Sequence, residues 1–209
     1  MIYRKTTWPA PRPFLLFVNT FTAHFQTGQI TAFSDRRSHR HFARYNQWMN
    51  RKVYAAAGSL SEEELKKDRR AFFGSIFQTL NHVMFGDYFL LTRVREYLKG
   101  DTILAGLETQ WEFEPTKIYS DDLQTLAEKR AALDTMIIRL TVGMAESALE
   151  TLRHSEPEGD VPLWLLLQHL FNHQAHHRGQ VTTLFTQCGL DIDVTDLNDC
   201  YFELGSIPD

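Results

Sequence analysis

PLWLLLQHLFNHQAHHRGQVTTLFTQCG, residues 162–189, decides how this chain is read. Its apolar positions recur at spacings of three and four. A step of 100° per residue brings Leu166, Leu170, Val181 and Leu184 within about 60° of one another, one buried stripe on one long helix. Asp160 suits an N-cap, Pro162 suits a first helical turn, and Gly189 stands where a C-cap glycine belongs. A helix from there to Cys188 spans about 40 Å at 1.5 Å per residue. Two positions in the stripe are not apolar: His173 and His177 lie along its centre. His169 and His176 fall on one flank, with Gln180 between them and the centre.

Imidazoles at i and i+4 stand one above the other, a spacing that a single cation bridges. Each neutral ring carries a donor and an acceptor, and an orphan in an apolar seam costs roughly 1–3 kcal/mol. A divalent metal satisfies both acceptors at once. Two core histidines bonded to one another fit the same spacing. The pair cannot complete a metal site, so a third ligand has to come from another helix.

Outward from this segment the pattern stays helical. Phe42, Tyr45, Met49, Val53 and Ala56 mark a first helix from Ser38, closed by Gly58. Ser61 with Glu64 is a capping box that starts a segment leading into a longer helix. That helix carries a stripe of Phe73, Ile76, Leu80, Val83, Met84, Asp87, Leu91, Val94 and Leu98, with Gly100 at its end. Residues 101–121 read as a loop or short hairpin. Leu126, Leu133, Ile137, Leu140 and Met144 mark a third helix, and residues 154–160 a break. The prediction is an all-α four-helix bundle over residues 38–209, ending in an irregular tail from residue 190. Residues 1–37, with Pro9, Pro11 and Pro13 and no acid before Asp35, form an N-terminal extension expected to be flexible and dispensable.

Of the 209 residues 43% are hydrophobic and 23% charged, which supports a packed core. The net charge of −4 disfavours nucleic acid as a partner. Cys188 and Cys200 make no disulfide scaffold and fit a reduced, cytoplasmic setting. No apolar run is long enough for a membrane span. No Ser-His-Asp order, Walker loop or dinucleotide fingerprint is present.

The run from His169 to Gln180 resembles the signature of the DinB-like (DNA-damage-inducible) metal-binding bundles. Phe73-Gly-Ser75-Ile-Phe-Gln-Thr79-Leu-Asn-His82, followed by Asp87 and Arg93, resembles the family's second-helix signature. Tyr45-Asn46-Gln-Trp48-Met-Asn50 resembles its first helix and Thr195-Asp196-Leu197 its tail. The resemblance covers about residues 40–200. It implies a four-helix bundle, often a homodimer, that binds a divalent metal, zinc or nickel, through His82, His173 and His177. Relatives include thiol-dependent transferases and isomerases. The implied function is therefore a metal-dependent hydrolase or thiol-dependent transferase acting on a small molecule, or else a non-enzymatic metal-binding and dimerisation module.

The helical wheel gives His82 no support of its own. It lies about 200° from its stripe's centre, beside Ser75, Gln78, Phe85, Gly86 and Phe89, so that helix is expected to bury two faces. Asp87 either orders a ligand or pairs with an arginine. His176 and Gln180 are candidates to orient the reacting group from the flank.

Overall fold

The computed structural model describes residues 36–98, 102–155 and 159–205; the expectations for residues 1–35, Gly100 and the chain end lie outside them. Four long helices form the body: α1 (Arg36–Gly58), α3 (Ile76–Tyr97), α4 (Leu123–Gly143) and α5 (Leu163–Gln187). Two short ones join them, α2 (Glu62–Lys66) and α6 (Leu197–Leu204). In the bundle α5 packs against both α3 and α1, and α1 packs on α4.

Local chemistry sets the helix starts. Ser61 accepts a hydrogen bond from the Glu64 amide at the head of α2. Asp122 does the same for Thr125 at the head of α4. Gly189, with φ of 74°, ends α5 in the left-handed region. The expected run-on from α2 into α3 does not occur. Lys67 caps α2, the Asp68 carboxylate accepts from the Arg70 amide at 2.8 Å, and Arg70 and Gly74 both take positive φ. The helix restarts at Ser75, whose hydroxyl accepts from the Gln78 amide. Phe73 therefore stands on the entry loop and not in the α3 stripe.

Two further expectations are corrected. The break before α5 contains a 3₁₀ turn (Glu146–Glu150) and an antiparallel hairpin of β1 (Leu152–Ser155) and β2 (Gly159–Pro162). Asp160 bonds His154 at 3.0 Å inside that hairpin instead of capping α5, and Pro162 takes the cap position. The tail is not wholly irregular. α6 buries Cys200 against Trp48 and Met49 of α1, where Tyr45 also donates to the Thr195 carbonyl at 2.8 Å.

Because α5 is covered from two sides, its buried face is wider than the predicted stripe. Leu167, Gln174 and Val181 are fully buried at its centre, and His173 and His177 lie at its edge. α3 is enclosed more completely: residues 79–88 are all buried, so both of its faces are covered, as His82's side required. The loop after α3 is pinned onto that helix. The Asn81 side-chain oxygen accepts from the amides of Tyr119 and Ser120, and the Thr92 hydroxyl accepts from the Gln110 amide. No described helix is long and apolar enough to cross a membrane.

Candidate metal centre

Three rings meet where α3 faces α5. His82 comes from α3; His173 and His177 stand one turn apart on α5. The Nε2 of His82 lies 3.1 Å from the Nε2 of His177 and 3.2 Å from the Nε2 of His173. One ligand atom from each residue falls within 4.8 Å of the others, and this is the metal-type cluster of His, Cys, Asp and Glu found among the described residues. His82 and His177 are buried and His173 is half-buried.

The second nitrogen of each ring shows what these atoms are prepared for. His82 Nδ1 is 2.8 Å from the Pro115 carbonyl, which only accepts, so that nitrogen carries the ring proton. His177 Nδ1 is 2.8 Å from Gln180 Oε1, again an acceptor. Both Nε2 atoms therefore present lone pairs to each other with no proton between them. His173 Nε2–H can donate to one of them, and the other still lacks a donor. His173 Nδ1 is buried without a hydrogen-bond partner among the described residues. Two fixed acceptors, beside a third ring whose far nitrogen is held by no bond, suit a cation. A tetrahedral zinc with bonds of about 2.1 Å separates its nitrogens by about 3.4 Å, close to the spacing seen.

The surroundings keep the rings neutral. Burial holds His173 down at about 3, helped by the other histidines. Burial also lowers His177 to about 4 against the opposing bond to Gln180, and lowers His82 against its bond to Pro115. The Phe73 ring stacks on His82 at a centroid distance of 3.8 Å and meets His177 edge-on. Gly86 makes room for His173: a Cβ at that position would come within 2.1 Å of the imidazole Cε1.

One residue further along α5, a second polar cluster points the other way. Gln174 donates to Asp87 at 2.9 Å and accepts from Asn50 and Arg178. Arg130 of α4 pairs with Asp87 and, at 2.9 Å, with Asp134. Arg178 also donates to Asn46 at 2.7 Å. All four long helices contribute, and two guanidinium groups balance two carboxylates. Burial pushes Asp87 up to about 6 and raises Asp134 as well. Burial works to lower Arg130, but the charges of Asp134 and Asp87 prevail and raise it. Asp87 is thus held by an arginine and a glutamine and touches no histidine of the cluster.

The structure brings His82, His173 and His177 together. His169 and His176 are exposed and stay outside, and Gln180 reaches His177. Sequence reasoning passed over Pro115, Gly86 as a steric cradle, and the whole inner network of Arg130, Asp134, Gln174 and Arg178. A helix-interior glycine four residues after His82 was the one visible signal.

The DinB family model matches residues 29–202. Protein DinB of Bacillus subtilis (strain 168) is 24% identical over 161 residues, covering 73% of this chain and 87% of that protein. A crystal structure of a DinB-like protein from Bacillus cereus ATCC 10987 shares 23% identity with a TM-score of 0.46, covering 70% of this chain and 90% of that one.

Proposed function

The chain belongs to the DinB family, and from that premise we propose that His82, His173 and His177 hold one divalent metal ion that serves chemistry on a small molecule. The observation that supports this most directly is the pair of facing lone pairs on His82 and His177, each fixed by a bond at the far side of its ring. Three imidazoles suit zinc or nickel. Such an ion supplies Lewis acidity and acidifies a water or thiol beside it. The chain's own residues contribute neutrality, orientation and shielding. Neutral ligands leave the cation's charge undiminished, Pro115 and Gln180 aim two of them, and Phe73 covers the face of His82. The reaction class proposed is metal-dependent hydrolysis or thiol-dependent transfer, in a cytoplasmic homodimer.

Metal analysis of the purified protein beside His173→Ala and His177→Ala tests the binding. About one equivalent is expected in the wild type and a clear loss in both variants; unchanged content in both ends the proposal. Catalysis is tested by offering the cobalt-substituted protein a panel of low-molecular-weight thiols and electrophiles, with His177→Ala as control. A second reading, a metal-binding and dimerisation module without catalysis, draws on the exposed apolar side chains of α6, notably Tyr201 and Phe202. It gains if the thiols neither alter the cobalt spectrum nor react.

A further inference from the structure

Gln180 and His176 stand beside the cluster without belonging to it. Gln180 is three residues after His177 and four after His176, so both rings lie within reach on one helical turn. Its Oε1 is 2.8 Å from His177 Nδ1, and its Nε2 is 3.3 Å from His176 Nε2. The amide is thus read from both ends. The oxygen receives the His177 proton, and the NH₂ group donates to a lone pair on the exposed His176 ring.

The direction of that amide matters because the two faces of an imidazole are coupled. A neutral ring has one proton, and the bond at one nitrogen decides what the other presents. With the oxygen toward His177, the proton sits on Nδ1 and Nε2 offers a lone pair to the cluster. With the amide reversed, NH₂ would face Nδ1, the ring proton would move to Nε2, and an N–H would point at His82 from 3.1 Å away. A ring in that state has its lone pair on Nδ1, turned away from the cluster, and none to offer a metal there.

On the metal-centre reading given above, we infer that Gln180, steered by His176, is the positioning residue that keeps His177 in its metal-receiving tautomer. His82 has the same device in the Pro115 carbonyl, a backbone group that cannot reverse. His173 has neither; its far nitrogen has no partner among the described residues, and its ring sits in the space at Gly86. The three rings are therefore held in three ways, and only the hold on His177 resides in a side chain that mutation removes cleanly.

The test uses Q180L, Q180E and H176A. In the metal-free wild type, long-range proton–nitrogen spectra of the imidazoles show His177 protonated at Nδ1. Q180L mixes the two tautomers of His177, leaves His82 unchanged, and weakens zinc binding by roughly 10–100-fold in competition with a chromogenic chelator. Q180E keeps an acceptor in place and restores both the tautomer and most of the affinity, which a merely structural role for Gln180 would not do. H176A moves both readings in the Q180L direction by a smaller amount. If Q180L leaves His177 protonated at Nδ1, or zinc affinity within about twofold, the inference is overturned. Should the wild type bind no zinc, the metal reading falls, and the metal-free spectra still decide the role of Gln180.

Discussion

Helix α5 carries two polar clusters one residue out of step, and they handle burial in opposite ways. The inner one, through Gln174 and Arg178, is charge-paired: Arg130 meets both Asp87 and Asp134, and Gln174 links Asp87 to Asn50 and Arg178. The outer one, through His173 and His177, is open: three neutral rings meet at a point that has too few donors. Charge balance in the first makes it a lock among four helices. A shortage of donors in the second makes it receptive. Polarity at a buried position therefore says little until partners are counted.

Breaking the lock gives the largest expected effect. Arg130→Met leaves Asp87 and Asp134 without their shared cation and should cost about 3–5 kcal/mol in chemical denaturation. A loss under about 1 kcal/mol would mean that Arg130 does not hold the two carboxylates as described.

Gly86→Ala attacks the open cluster with little insult to the lock. The added methyl must displace the His173 ring, so metal affinity should fall at least about tenfold while helicity is retained. The packing cost should be about 1–3 kcal/mol. Wild-type affinity in this variant would show that His173 is not held where the metal reading needs it.

The two clusters should also differ in the sign of their pH response. Burial holds Asp87 up at about 6, above its ordinary value, so its contribution to stability is fully present below about pH 4 and is lost as pH rises through about 6. The histidines are depressed, so theirs is present above about 6.5 and is lost as pH falls toward 4. Thermal unfolding of wild type against Asp87→Asn should show the wild-type advantage shrinking from pH 4 to pH 7. An advantage that grows with pH would mean that Arg130 keeps Asp87 ionised throughout.

The smallest effect belongs to the scaffold beneath both. Ser75→Ala removes the cap that starts α3 and should cost about 1 kcal/mol, with metal content unchanged. A loss of metal here would show that the entry loop with Phe73 positions His82 more strongly than the helix does.

Much of this was legible in the sequence because it is local. The stripes of α1, α3 and α4, the caps at Ser61 and Gly189, and the stacked pair His173 and His177 follow from spacing within one helix. The inner network was not, since spacing within α4 does not say which partners Arg130 and Asp134 meet until α1, α3 and α5 enclose them. His82 needed the family resemblance, because its side of α3 is covered by α5, by Phe73 of the entry loop and by the loop carrying Pro115, none of which is adjacent in sequence. The Pro115 carbonyl has no letter of its own in a sequence. The hairpin before α5 escaped because four-residue strands carry too short an alternation to stand out.

The adjacency of His173 with Gln174 and of His177 with Arg178 has a practical consequence for anyone transplanting the site. Moving the three histidines alone into a foreign bundle would deliver the ligands on a helix free to turn about its axis. A roll of 100°, one residue's worth, would bury the imidazoles if taken one way and turn them out to solvent if taken the other, with the next side chain in their place. The portable unit is the His-Gln and His-Arg dipeptides together with Asp87 and Arg130, which act as the key that stops the shaft from slipping.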